Sequence, residues 1–315
     1  MNNVLIRDRL QAATDVLLVS HSEPMQAANA DTWMRVAGID GLMPIVWYDG
    51  KKQYDLIVLP LPKGKAALEL CLACLAPQLA AGGELLLHGQ NDEGIKSADK
   101  ILRTYFRTVE TASIADKGRV YSACDTIAQP KTLEDFASTQ TLSLNGQAVD
   151  FKTYPGLFAK GRLDAATALL LENLPDIPIS AHVLDYACGL GVIGCAVQLR
   201  QPQSKILLVD YDPLAIHAAQ QNVPAAATQC TAAPEAIAGS FDLIFSNPPI
   251  HLGQRLDYGI VERLVARLPD ILSPQGSAYV VTQVTVPVAR YAAESKLAAT
   301  QIAASSSFRV TKIVR

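Results

Sequence analysis

The chain has 315 residues, half of them apolar and 18% charged, with a formal net charge of −3. That balance fits a globular protein long enough for two domains of roughly 100–200 residues each, and it excludes a chain that grips nucleic acid by bulk charge alone. The most apolar run, "LELCLACLAPQLAAGGELLL", carries Glu69, Pro77 and a glycine pair, so it does not read as a membrane span.

The opening, "MNNVLIRDRLQ", lacks the basic, apolar and small-residue regions of a secretory signal, and the expectation is a cytoplasmic protein. A first clear strand lies in "YDLIVLPLPKG" (Tyr54–Gly64), followed by a helix-like "KAALELCLACL" and, after a Pro and a Gly turn, an apolar strand. Cys71 and Cys74 fall mid-pattern in that helix with no second pair or histidine beside them, so they read as buried thiols and no metal is expected. Next, "ACDTIAQPKTLEDFASTQ" suits a linker. In "TLSLNGQAVDFKTY", period-two alternation either side of Asn145-Gly146 predicts a hairpin, because both turn residues tolerate positive φ.

From Pro155 onward helices alternate with strands: "DAATALLLENL", "HVLDYA", "GVIGCAVQLRQ", "KILLVD", "PLAIHAAQQNV", "FDLIFS", "IVERLVARLP" and "SAYVVTQV". That order implies a parallel sheet, and the closing "FRVTKIVR" suggests an added edge strand. "FDLIFSNPPIHLG" echoes "YDLIVLPLPKG", and the helix, Pro, Gly turn and strand after each match too. Two such copies mean a pair of related α/β domains. The first has Leu61-Pro62-Lys63 where the second has an Asn-Pro-Pro turn, and no Gly-rich loop, so it reads as chemically emptied.

"VLDYACGLGVIG" is a strand, a tight loop and a helix start. Gly189, Gly191 and Gly194 satisfy G-x-G-x-x-G, and Asp210 ends the next strand where a ribose-binding acid belongs. Alone, this suits a dinucleotide dehydrogenase as well. Asp185 shifts the balance, because a carboxylate there repels a pyrophosphate but suits the cationic amino group of S-adenosylmethionine. The Asn247-Pro248-Pro249 turn, at the end of the strand after next, has no place in hydride chemistry. The hairpin and "YPGLFAKGRLDAAT" are expected to cap the cofactor.

These residues resemble the RsmC-like small-subunit ribosomal RNA guanine-N2 methyltransferases over nearly the whole chain. The similarity lies in "KTYPGLFAKGRLDAATALLL", "VLDYACGLGVIG", "SNPPIHLG" and, in the first half, "GQNDEGIKSADKIL". It implies an α/β protein of two tandem Rossmann-like methyltransferase domains made by internal duplication. Residues 1–130 would form the degenerate copy and residues 131–315, led by a hairpin over 140–153, the catalytic copy. The implied cofactor is S-adenosyl-L-methionine, held by Asp185, Ala187, Cys188, Gly189, Gly191, Asp210, Tyr211 and Phe158. The implied catalytic residues are Asn247, Pro248, Pro249 and Ile250. The implied partner is 16S rRNA or the 30S particle, and a monomer is expected. Lys63, Lys65, Lys96 and Arg103, with Lys100 and Arg107 nearby, are candidates to hold RNA phosphates. Ala187 replaces a family glycine and Ile250 a family aromatic, and Ala232 offers no hydrogen bond to an adenine.

An exocyclic guanine amine is a poor nucleophile because its lone pair is delocalised into the ring. Two acceptors aimed at its N–H bonds, the Asn247 side-chain oxygen and the Pro248 carbonyl, would localise that pair, and the two prolines would hold the carbonyl in place beforehand. The base must leave its stack to react, and Ile250 offers it apolar contact without a π-face. His251 reads as structural. Two alternatives stand beside this reading: amino-methylation of another ribosomal guanine or a protein glutamine, and an RNA-binding relic without activity.

Overall fold

Apolar runs punctuated by Pro and Gly set the strands of both halves. A computed structural model of the chain describes residues 4–20, 30–34, 52–115, 117–127, 129–157, 163–249, 251–252, 255–256 and 258–315. The chain divides into two compact units, Met1–Ala137 with Tyr154–Gly156, and Ser138–Thr153 with Leu157–Arg315. The tripeptide Tyr154–Gly156 thus leaves the second unit and rejoins the first, where the Tyr154 hydroxyl donates to Glu134 at 2.9 Å.

In the first unit the elements run α1 (Val4–Ala12), β1 (Val16–Ser20), β2 (Ala30–Met34), β3 (Tyr54–Pro60), α2 (Lys65–Leu75), β4 (Leu79–Gln90), α3 (Ala98–Tyr105), β5 (Phe106–Ala115) and β6 (Gly118–Thr126). Their sheet order is β2-β1-β3-β4-β6-β5, parallel except that β6 runs antiparallel to both neighbours. Helix α2 buries Leu68, Cys71, Leu72, Cys74 and Leu75 against Ile57, Leu59, Leu85 and Leu87, so both thiols belong to the core. The segment expected as a linker begins inside β6, and β7 takes up its last residues.

The second unit opens with β7 (Ser138–Leu144) and β8 (Gln147–Thr153), a hairpin whose turn has Asn145 at φ 52 and Gly146 at φ 78. It continues α4 (Ala165–Glu172), β9 (His182–Tyr186), α5 (Val192–Arg200), β10 (Lys205–Asp210), α6 (Pro213–Asn222), β11 (Ala227–Cys230), β12 (Phe241–Ser246), the short β13 (His251–Leu252) and β14 (Arg255–Leu256), α7 (Gly259–Ile271), β15 (Leu272–Gln283), α8 (Val288–Glu294), β16 (Ala298–Ala304) and β17 (Phe308–Val314). The sheet order is β11-β10-β9-β12-β15-β17-β16. The closing strand β17 is therefore not an edge, as the sequence suggested. It pairs antiparallel with both β15 and β16, and β16 takes the edge.

The two sheets share more than order. In each, the Asp of the aromatic-Asp-Leu-Ile strand accepts a backbone N–H where the adjacent central strand begins: Asp55 from Asp15 at 3.3 Å, Asp242 from His182 at 2.9 Å. Each also carries the same irregularity. Pairing skips from Tyr54–Leu79 to Leu56–Glu84 in one and from Phe241–Leu272 to Leu243–Ser277 in the other. A glycine makes room for it both times. A Cβ on Gly83 would lie 2.8 Å from the Tyr54 carbonyl oxygen, and one on Gly276 would lie 2.7 Å from that of Phe241. Duplication explains all three matches at once.

Gly83→Ala and Gly276→Ala should each destabilise their own unit by roughly 1–3 kcal/mol, since backbone rather than a flexible side chain must yield. Urea unfolding followed separately for the two units checks this, and an unchanged midpoint would contradict it.

Candidate active site

Strands β9 and β12 are neighbours, with Phe245 opposite Asp185 and Ser246 opposite Tyr186. Their order marks the point where the sheet changes direction of growth, which in open α/β sheets is where ligands bind, beyond the carboxyl ends of the strands. The Ser246 hydroxyl, fully buried, donates to the Tyr186 carbonyl at 2.8 Å and ties the two strand ends together. Two loops leave from that tie: Ala187–Gly191 and the Asn-Pro-Pro turn.

The first loop turns into α5 at Gly191, whose φ of 78 suits glycine. Its amides are clamped to the adjacent strand. Cys188 N–H donates to the Val209 carbonyl at 3.0 Å, and Gly189 N–H to Asp210 Oδ2 at 2.9 Å. Asp210 Oδ1 accepts from Asp212 N–H at 2.9 Å. Asp185 Oδ2 accepts from Gly194 N–H in the first turns of α5 at 3.0 Å, while Asp185 Oδ1 is buried with no hydrogen-bond partner among the described residues. Burial pushes the Asp185 carboxyl up to about 7 against the pull of the Gly194 amide, with the nearby Asp210 charge adding to the rise. Burial likewise raises Asp210 to about 6, opposed by the amides of Asp212 and Gly189. The Cys188 thiol is pushed far up by burial and is unreactive; its backbone serves the loop.

Ala187 is the anomaly. It adopts φ 61, a left-handed conformation that a side chain with a Cβ disfavours by about 1–2 kcal/mol. The loop holds it there because Ser246–Tyr186 on one side and Cys188–Val209 on the other fix both flanks.

The Asn-Pro-Pro turn begins with Asn247, half-buried, followed by buried Pro248 and exposed Pro249. Asn247 Nδ2 donates to Asp164 Oδ2 and to Thr167 Oγ1, each at 2.9 Å. Sequence reasoning placed Asp164 and Thr167 on a helix, within a segment expected to cap the cofactor, and gave neither a part in orienting Asn247. Their one local signal was the N-cap pattern, and Asp164 does cap α4 by accepting from Thr167 N–H at 3.0 Å. Asn222 was missed too. At the end of α6 it accepts from Lys152 N–H of the hairpin at 2.7 Å and donates to the Lys152 and Leu190 carbonyls, joining hairpin to loop.

The remaining expected residues divide. Tyr211, 38% exposed, follows Asp210 at the rim. Thr231 Oγ1, beside Ala232, accepts from Ala233 N–H at 3.1 Å. Phe158, Ile250 and the His251 side chain lie outside the described residues. In the first unit Lys63, Lys65, Lys96, Lys100 and Arg107 are exposed. Arg103 forks onto Asp99 at 3.0 and 3.1 Å and also reaches the Val109 carbonyl, so its guanidinium is already engaged.

Residues 148–312 match the family model described as methyltransferase small domain, and residues 13–140 match its N-terminal counterpart, methyltransferase small domain N-terminal. A protein described as ribosomal RNA small subunit methyltransferase C from Pseudoalteromonas atlantica is 35% identical over 241 residues, covering 74% of this chain and 69% of its own. One of the same description from Pseudomonas entomophila is 35% identical over 227 residues, 71% of this chain and 68% of its own. Among solved structures, the T. thermophilus 16S rRNA N2 G1207 methyltransferase, in complex with AdoMet and guanosine, superposes with a TM-score of 0.82 at 21% identity, covering 100% of this chain and 92% of that one. That likeness shows the fold.

Two outcomes follow from the loop. Ala187→Gly should raise the unfolding free energy of the second unit by about 0.5 kcal/mol: relief of the left-handed strain exceeds the glycine's added freedom in the unfolded chain. A lower urea midpoint would contradict it. The Asp185 carboxyl titrates higher folded than unfolded, so its contribution is greatest at low pH and is lost as pH rises through about 7. Ligand-free protein should therefore gain on the order of 1 kcal/mol between pH 8 and pH 6, and Asp185→Asn should flatten that profile.

Proposed function

The chain belongs to the ribosomal RNA small subunit methyltransferase C family, and from that premise we propose that it moves a methyl group from S-adenosylmethionine to the N2 amine of a guanine in 16S rRNA. Guanine 1207, the base named for the T. thermophilus enzyme, is the target we infer. The observation that carries the chemistry is the orientation of Asn247. Both hydrogens of its amide nitrogen are taken by Asp164 and Thr167, so Oδ1 is the atom left to receive a substrate N–H.

The residues fit the donor. Asp185 Oδ1, buried and without a partner among the described residues, suits an ammonium group, and Asp210 keeps lone pairs for ribose hydroxyls. A Cβ on Gly189 would meet nothing within 4 Å, so the loop leaves open space on that side. Ala187, Cys188 and Gly191 shape the loop, and Tyr211 and Phe158 are assigned to the donor's rim. Bound S-adenosylmethionine supplies an electrophilic methyl on a positively charged sulfur.

The chain's own residues then have one task, which is to present the amine. Asn247 Oδ1 accepts one N–H and the Pro248 carbonyl the other, drawing the lone pair out of the ring. Pro248 and Pro249 fix φ near −65°, so the carbonyl needs no reorganisation. Positioning supplies most of the rate. No strong base is required, because the amine becomes acidic only once alkylated; Asn247 Oδ1 and the Pro248 carbonyl accept its N–H bonds during transfer, and the alkylated, cationic amine then releases one proton to solvent water. Ile250 is assigned apolar contact with the extruded base. The exposed lysines of the first unit, Lys63, Lys65 and Lys96, hold RNA phosphates, with Arg103 contributing only where RNA displaces Asp99. The enzyme works as a cytoplasmic monomer on free 16S rRNA or the 30S particle. Among the described residues no helix is long and apolar enough to cross a membrane.

Incubation with labelled methyl donor and unmodified 30S particles should place label in RNA that digests to N2-methylguanosine. Label in protein alone, or none, would overturn the reading in favour of a glutamine methyltransferase or an inactive RNA binder. Asn247→Ala should lower kcat at least about a hundredfold with little change in donor affinity; undiminished turnover would remove Asn247 from the mechanism.

A further inference from the structure

We propose that Asp164, with Thr167, is a positioning residue for this reaction: its carboxylate locks the Asn247 amide in the one orientation that offers an acceptor to the substrate amine. The proposal rests on the role just given to Asn247 and adds residues that role did not include.

The polarity of the network follows from chemistry. An ionised carboxylate only accepts, so the Asn247 atom 2.9 Å from Asp164 Oδ2 must be Nδ2. The Thr167 hydroxyl accepts from the other Asn247 hydrogen at 2.9 Å and turns its own hydrogen to Asp164 Oδ2 at 3.4 Å. Every proton in the triad has one acceptor. Rotating the amide by half a turn would set Oδ1 against the carboxylate and point N–H donors at the substrate, which is the wrong sign for an amine that must be relieved of hydrogens. A solvent-exposed asparagine would sample both orientations; this one samples one.

The helix cap alone does not account for the arrangement. The bond from Thr167 N–H to Asp164 Oδ2 completes the cap of α4 without Asn247. Asn247 lies 83 residues further along and arrives from the end of β12. Phe245 and Asp185 are register partners in β12 and β9, and Asn247, two residues beyond Phe245, continues on their side of the sheet. That is the side on which α5 meets Asp185 through Gly194 and on which α4 meets α5. The carboxylate also does electronic work. A charge-assisted bond at Nδ2 polarises the amide and concentrates electron density on Oδ1, so the acceptor becomes stronger as well as fixed.

Serine caps helices as well as aspartate does but is too short to keep the bond to Asn247, whereas asparagine caps and still reaches with a neutral oxygen. Asp164→Ser should therefore lower kcat about tenfold to a hundredfold, leaving the KM for RNA and the donor Kd within about threefold. Asp164→Asn should recover at least half of that loss on a logarithmic scale. In an Asn247→Ala background Asp164→Ser should change the residual kcat less than twofold, because nothing remains to orient. Equal losses in both backgrounds would reduce Asp164 to a helix cap and overturn the proposal, as would wild-type turnover in Asp164→Ser. Should Asp164→Ser fail to fold, Thr167→Val takes its place in the same cycle: a loss confined to the Asn247 background supports the proposal, and equal losses in both backgrounds overturn it. Full activity in Asn247→Ala would instead sink the underlying reading, so the two failures are distinct.

Discussion

The hydrogen bond from Ser246 Oγ to the Tyr186 carbonyl joins the two strand ends from which the glycine loop and the Asn-Pro-Pro turn leave. Parallel strands lie about 4.8 Å apart, so a one-residue slip between β9 and β12 would move Asn247 away from the loop and turn it to the opposite face. A fully buried hydroxyl with a single acceptor makes such a slip unfavourable, since the donor would be left unpaired. Asp242, clamping the His182 amide at the other end of the same strand pair, fixes the register a second time. Between these two points Leu243, Ile244 and Phe245 are buried and pair in register with Val183, Leu184 and Asp185.

On this rigid pair the site accumulates unfavourable features. Ala187 is held at positive φ, and Asp185 keeps an oxygen buried without a partner among the described residues. Each is destabilising in its own right, and each is relieved only by change at the loop, in backbone composition or in what sits beside it. Strain of this kind persists where the surroundings over-determine it, and it clusters at functional sites. The fold tolerates it because the core beneath, from Leu184 and Ile244 to Leu264 and Leu268, is closely packed and carries no share of the chemistry.

Much of this was legible in the sequence, and the exceptions have physical reasons. The Asn145-Gly146 hairpin, the glycine loop and the duplicated aromatic-Asp-Leu-Ile strands are local patterns, and local patterns survive translation into structure. The edge of the second sheet did not. β16, "AATQIAA", is mostly alanine and mostly exposed, with Thr300 and Ile302 its only β-branched residues, so it shows little of the pattern that marks a strand, and β17 looked like the last strand because it is last in sequence. The triad of Asp164, Thr167 and Asn247 was invisible for a different reason. Its members make ordinary local sense as a cap and a strand end, and only the fold brings them together.

The path of Tyr154–Gly156 has a consequence for modularity. Two units descended from one ancestor invite treatment as interchangeable cassettes, yet the chain passes between them at three separate peptide bonds rather than one. Cutting at Ala137 would strand Tyr154, 3% exposed and bonded to Glu134, on a half that has no home for its ring. Swapping either half among relatives would require carrying the tripeptide with the wrong partner. The stitch therefore sets the boundary of a separable half at the Tyr154–Gly156 tripeptide rather than at Ala137.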